Sequence, residues 1–239
     1  MAAIQPVSII LLVHQEGDII ENVIRDFYTK IISKIPNSEF VVCEDGSTDK
    51  TKDVLKRIEK VYHLRLFLGD ERKGYTKAMM DAFSYATKPI IFFSDSDGQH
   101  EPDDFWNMYA LLPVYDMVIG WKQNRQDGFL RYVLTRVYNK IISVYFGVHF
   151  HDVDCGFRLM KKEVVDDLLK RNWHLNYCIS SELTVRAFWG GFRIAEVPVL
   201  HRERKFGDSR GLPFKKLPGI IFHILGKFKA IKKDIKSFL

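Results

Sequence analysis

The chain of 239 residues predicts an α/β fold: a single domain whose mainly parallel sheet is covered by helices on both faces, followed by a basic amphipathic helix. Three observations predict it. Short apolar runs alternate with helix-like stretches through the first half. The runs are almost continuously apolar, as strands buried on both faces must be. The last stretch changes character: residues 201–239 carry 11 Lys/Arg against 3 Asp/Glu, whereas residues 1–200 carry 25 against 27. A near-neutral body with a basic end points to an anionic surface or ligand there.

Taken in order, VSIILLV (Val7–Val13) reads as the first strand. The residues before it lack a basic n-region, and His14-Gln15 interrupts the apolar run, so a strand is expected here and a signal peptide is not. Helical spacing covers Asp18–Ser33, and Glu39–Cys43 is the second strand. Ser47 and Thr48 offer N-cap hydroxyls to a helix over Asp49–Val61. Leu64–Leu68 is a strand, Lys73–Ala86 a helix and Pro89–Phe93 a strand. Pro102 suits the first turn of a helix running to Leu112, and Asp116–Trp121 is the fifth strand. No run reaches the roughly 18 apolar residues of a membrane span. Three cysteines without metal-type spacing favour a reduced, cytosolic chain. The expected division is residues 1–211 for the domain and 212–239 for the terminal helix.

In such sheets ligands gather at the carboxyl ends of the strands. Glu44-Asp45-Gly46 ends the second strand and Asp95-Ser96-Asp97 the fourth, so both acidic clusters open onto one edge. Carboxylates driven against an apolar strand need a cation or donors to answer them. Two hard oxygen ligands flanking one residue suit Mg²⁺ or Mn²⁺, with positions left for diphosphate oxygens. A solvated turn is the plainer reading of one D-x-D. A D-x-D-G-T phosphatase is disfavoured, because the string follows the fourth strand and Gln99 stands where threonine belongs. Neither glycine-rich phosphate cradle is present, so a nucleotide would be held otherwise. Asp45 is the candidate partner of its base or ribose, or else the start of an Asx-type turn.

VSIILLVHQEGDIIENV, VVCEDGSTDKT and FFSDSDGQHEPDDF resemble, in order and spacing, the nucleotide-sugar-binding half of inverting GT-A-fold glycosyltransferases. D-x-D-G-Q-H followed by proline is most similar to the polyprenyl-phosphate glycosyltransferases, the dolichol-phosphate mannosyltransferase type. LRYVLTRVYNKII, HDVDCGFRLMKKEVV and SSELTVRAFWGGFRIAEVPVLHRERKFGDSR continue the resemblance over roughly residues 6–211. It implies a nucleotide pocket lined by Val13, Glu16 and Asp45. Asp95, Asp97 and Gln99 would hold the metal and diphosphate, with Ser96 beside the donor. Arg136 and Arg158 would face an anionic acceptor, and Arg204 and Arg210 would close over phosphates. Glu182 would sit near the sugar, with Asp97, Glu182 and Arg158 as the catalytic residues. The sequence departs from the pattern at His14-Gln15, Cys155, His201–Arg204 and Arg210. The last keeps the charge of the usual lysine with altered geometry.

The implied donor is a nucleotide-diphosphate sugar, GDP-mannose or a UDP-sugar, and the implied acceptor a dolichyl or undecaprenyl phosphate. A phosphate monoester is already anionic at neutral pH, so its attack needs positioning and cations rather than a strong base. A saccharide hydroxyl would need a carboxylate base, for which Glu182 and Asp154 are candidates. From Leu217 onward apolar residues recur at near-helical spacing, with Lys227, Lys229, Lys232, Lys233 and Lys236 between them. That pattern suits an anionic membrane surface or packing against the core. The expectation is a peripheral enzyme at the cytoplasmic face with no nucleic-acid partner; a catalytically silent membrane-docking module of the same fold is the remaining alternative.

Overall fold

The computed structural model describes residues 4–123, 129–203 and 217–238. Every side chain of the first strand, β1 (Val7–Val13), is buried. That burial follows from its central place. The elements run β1, α1 (Ile20–Lys30), β2 (Glu39–Glu44), α2 (Thr51–Ile58), β3 (Leu64–Leu68), α3 (Tyr75–Ser84), β4 (Ile90–Asp95), α4 (Asp104–Tyr109) and β5 (Met117–Gln123). There follow α5 (Phe129–Phe146), β6 (Arg158–Lys161), α6 (Lys162–Leu168), α7 (Ile179–Trp189), β7 (Ile194–Leu200) and α8 (Leu217–Phe238). Among the described residues the strands form one sheet in the order β3-β2-β1-β4-β6-β5-β7. All neighbours are parallel except β6, which is antiparallel to both β4 and β5.

The strand period of two divides the core into two layers. Ile10, Leu12, Val41, Cys43, Ile91 and Phe93 face the layer that also holds α3, α5, α6, α7 and α8. Val7, Ile9, Leu11, Val13, Phe40, Val42 and Phe92 face the layer of α1, α2 and α4. β1 lies between β2 and β4, so chain order reverses around it. Register sets Val13 beside Glu44 and Leu12 beside Asp95, bringing both acidic clusters to one edge at a topological switch point.

Two details differ from the expectation. Ser47 and Thr48 do not cap α2. The Ser47 hydroxyl accepts from the Gln15 backbone N–H (2.8 Å), and the Asp49 carboxylate accepts from the Thr51 N–H (3.0 Å). The loops after β1 and β2 must satisfy each other before the helix starts. The expected helices over 18–33 and 102–112 are also shorter, the first passing into a 3-10 turn at Ile32–Lys34.

α8 packs on the core. Ile220, Ile224, Phe228, Ile231 and Ile235 are buried in the layer of α3 and α5–α7, at spacings of three and four residues. Asp234 fixes the helix by accepting from His174 Nε2 (2.7 Å) and pairing with Arg186 (3.5 Å). Ile221, Phe222 and Leu225 are exposed, Phe222 by 81%. The boundary expected at residues 211 and 212 lies outside the described residues.

Candidate active site

At the end of β2, the Asp45 N–H donates to the Val13 carbonyl (2.9 Å), carrying the ladder one rung past the strand. Asp45 Oδ1 accepts from the Lys73 N–H (2.7 Å) and Oδ2 from the Gly74 N–H (3.1 Å). The chain can close here because residue 46 is glycine: φ is +65°, and a Cβ would stand 2.3 Å from the backbone of Glu71 and Arg72. Glu16 is buried, its N–H donating to Thr51 Oγ1 (2.9 Å). Val13 and Asp45 meet through their backbones, Val13's side chain lying wholly in the core, and Glu16 follows on the loop after β1, tied to Thr51 at the start of α2.

At the end of β4, the Ser96 hydroxyl donates to the Leu12 carbonyl (2.8 Å) and fastens the acidic turn to β1. Asp97 Oδ1 accepts from the Gln99 N–H (3.1 Å). Gln99 Nε2 donates to the Arg202 carbonyl (3.0 Å), and the Arg202 N–H returns to the Gln99 carbonyl (2.7 Å). His100 and His201 bridge in antiparallel fashion beside them, so the chain after β7 covers the turn. His100 stacks on Phe157 at 4.8 Å; burial, Lys122 and His201 hold its pKa well below 6.5 and keep it neutral.

Asp95 is held from several sides. Its Oδ1 accepts from the Tyr75 hydroxyl (2.8 Å). Burial and the Asp95 charge push that phenol well above 10, so it remains a donor. Oδ2 stands only 2.2 Å from where a Cβ on Gly156 would lie, so only glycine leaves the carboxylate its place. The positive charge called for by these carboxylates is Arg158, which interacts with Asp95, Asp154 and Tyr75.

Asp95, Asp97 and Gln99 offer hard oxygen donors. Among the described residues no group of three or more His, Cys, Asp and Glu is arranged for a metal. Two carboxylates with the remaining positions left to water and phosphate is the usual Mg²⁺ pattern, and the donor set fits such an ion.

Two expected roles do not match the geometry. Arg158 is fully buried. Its Nε donates to the Cys155 carbonyl (3.1 Å) and Nη1 to the Ser180 carbonyl (3.2 Å), so it lies beneath the site and cannot face an acceptor. Glu182 is also buried. Its carboxylate accepts from Arg186 Nε (2.9 Å) and from the His174 and Leu175 N–H groups (3.1 and 2.8 Å), which makes it a clamp on the loop before α7. In both cases a charged residue in a helix or strand pattern turned inward, where its own partners consume it. Arg204 and Arg210 lie outside the described residues.

Arg136 does line a cleft, of about 440 Å³, together with Trp121, Lys122, Tyr132, Asn139 and Asp152. Arg136 Nε donates to the Tyr132 hydroxyl (3.2 Å), and its guanidinium lies over that ring at 5.3 Å. Trp121 stacks on His151 at 5.2 Å. The cleft lies at the same carboxyl edge of the sheet as the acidic clusters, since β6 is antiparallel to both β4 and β5 and those two strands therefore run the same way. Asp154 accepts from the Ser181 N–H (3.0 Å), and burial together with Asp152 pushes its pKa up to about 7. The sequence reasoning missed Tyr75, Trp121, Lys122 and Tyr132. Lys122 had a signal, since it lies at the carboxyl end of a strand, the same rule that found the acids; Tyr75 had none.

Comparison with known proteins fits this geometry. The family model described as "Glycosyl transferase family 2" matches residues 8–169. Over 225 residues the sequence is 27% identical to the undecaprenyl-phosphate 4-deoxy-4-formamido-L-arabinose transferase of Klebsiella pneumoniae subsp. pneumoniae, covering 93% of this chain and 67% of that protein. Among solved structures, glucosyl-3-phosphoglycerate synthase from Mycobacterium tuberculosis with phosphoglyceric acid superposes with a TM-score of 0.71 at 18% identity, covering 94% of this chain and 80% of that one. The same enzyme with Mn²⁺, uridine diphosphate and phosphoglyceric acid gives 0.71 at 17% identity, over 94% and 78%. These likenesses establish a GT-A fold.

Proposed function

The chain belongs to glycosyl transferase family 2, and from that premise we propose that it moves a sugar, with inversion, from a nucleotide-diphosphate donor to a polyprenyl phosphate, assisted by Mg²⁺ or Mn²⁺. The observation that carries this reading is that Asp45, Asp95 and Asp97 end β2 and β4 at the same carboxyl edge of the sheet where β5, parallel to β4, brings Lys122 to the cleft that also holds Arg136. A relative is named for an undecaprenyl-phosphate acceptor, and a structural neighbour was crystallised with Mn²⁺ and uridine diphosphate.

The nucleoside end of the donor lies along Val13, Glu16 and Asp45. Asp95, Asp97 and Gln99 would hold the divalent ion, which when bound neutralises the charge growing on the departing diphosphate. Lys122 and Arg136 draw the acceptor phosphate toward the sugar from the cleft side. One acceptor oxygen forms the bond to the anomeric carbon as the bond from that carbon to the diphosphate oxygen breaks, and the nucleoside diphosphate leaves. No proton need be removed, since the nucleophile is already an anion. Arg158 stabilises the carboxylates from beneath, and Glu182 fixes the loop before α7.

A saccharide acceptor is the second reading, and Asp154 favours it. A carboxyl with a pKa of about 7, two residues from Asp152 of the cleft, would serve as a base for a hydroxyl. The intact acidic edge argues against a silent docking module. Among the described residues no helix is long and apolar enough to cross a membrane. We infer peripheral attachment at the cytoplasmic face, through exposed Ile221, Phe222 and Leu225 with Lys229, Lys232, Lys233 and Lys236 on the following turns of α8.

The test is a panel of UDP- and GDP-sugars with Mg²⁺ or Mn²⁺, with and without a short polyprenyl phosphate or an oligosaccharide, reading released nucleotide. Release stimulated by the lipid phosphate alone supports the proposal. Stimulation by the saccharide alone replaces it with the Asp154 reading.

A further inference from the structure

The geometry points to Tyr75 as a positioning residue for the metal carboxylate Asp95, delivered by a tripeptide that also holds Asp45. The inference rests on the reading of Asp95 and Asp97 as metal ligands. Lys73, Gly74 and Tyr75 are consecutive, yet they reach both strand-end clusters. The first two give their backbone N–H groups to the two oxygens of Asp45, and the third gives its hydroxyl to Asp95 Oδ1 at 2.8 Å. Gly74 makes this turn possible with φ at +90°, a conformation that a side chain would strain. From Tyr75 the chain enters α3, whose buried Ala78, Met79, Ala82 and Phe83 anchor it to the core. The next residue, Thr76, is fixed by its hydroxyl bond to the Leu175 carbonyl (2.9 Å). The phenol is therefore presented from a rigid base.

A carboxylate held at one oxygen by a phenol, and pressed at the other against the bare Cα of Gly156, is restricted to one orientation before any ion arrives. Ligand-orienting partners of this kind change metal affinity by about 10–100-fold when removed. Packing does not require the hydroxyl, since Ala78, Met79, Ala82 and Phe83 anchor α3 without it.

The experiment is Mn²⁺ titration followed by electron paramagnetic resonance, on the protein alone and with UDP or GDP, for wild type, Y75F, Y75L and D95N. Thermal melts check the fold. Y75F and Y75L should each weaken Mn²⁺ binding about tenfold at an unchanged melting temperature, and D95N should weaken it further. Wild-type affinity in Y75F, with D95N impaired, overturns the role of Tyr75 and leaves the metal site standing. Equal Mn²⁺ binding by wild type and D95N overturns the metal reading and the inference with it.

Discussion

At the scale of single residues, the site is shaped by charged groups turned inward. Glu182 and Arg186 form a pair with almost no exposed surface. Removing one partner from such a pair leaves an uncompensated buried charge, which costs about 3–5 kcal/mol. Glu182→Ala should therefore lower stability to denaturant by that amount; lost transfer at unchanged stability would instead restore a catalytic role. Asp154 makes a pH-dependent prediction. Its folded pKa of about 7 lies above the ordinary carboxylate value of 3.8, so the folded state binds the extra proton between them. Stability contributed by Asp154 therefore falls as pH rises from about 4 to 7 and levels off above. Asp154→Asn should flatten the wild-type slope in denaturant titrations across that window, and an unaltered slope would mean that Asp154 titrates normally. Sequence showed the acids at the strand ends. It did not show which arginines face inward, because R-L-M-K and E-L-T-V-R carry no sign of the neighbours that Arg158 and Glu182 find.

At the scale of elements, β1 to β5 were legible because each is an apolar run closed by a turn. β6 is only four residues long, and its antiparallel insertion between β4 and β5 has no local signature. β7 contains Pro198, which ordinarily argues against a strand. It is tolerated because, among the described residues, β7 is an edge strand paired only with β5. For α8 the periodicity was visible, but its meaning was divided between core and membrane. The structure assigns one face to the core and leaves Ile221, Phe222 and Leu225 exposed on the other. Ile224→Ala, on the buried face, should destabilise the protein by about 2–5 kcal/mol. Replacing Ile221, Phe222 and Leu225 with serine should leave the melting temperature and release of nucleotide from soluble substrates unchanged, while reducing flotation with anionic liposomes. Raising salt should weaken flotation of the wild type as the lysine contribution is screened. Flotation unaffected by the serine replacements would remove the membrane from this face.

At the scale of the whole molecule, the order β3-β2-β1-β4 brings two acidic clusters separated by some fifty residues of chain to one edge, and β5 with α5 sets a cleft holding Lys122 and Arg136 at that same edge. The acidic edge suits a metal and a diphosphate, and the basic cleft suits an anionic nucleophile. On the proposed function these two halves join sugar to lipid phosphate. The decisive measurement isolates the lipid product after incubation with a nucleotide sugar, Mn²⁺ and a short polyprenyl phosphate, for wild type with and without chelator and for Asp97→Ala. The wild type should yield a sugar-phosphate lipid that is lost on chelation and absent from a folded Asp97→Ala protein. Chelator-resistant product, or sugar appearing only in water or on a saccharide, would contradict the proposed function.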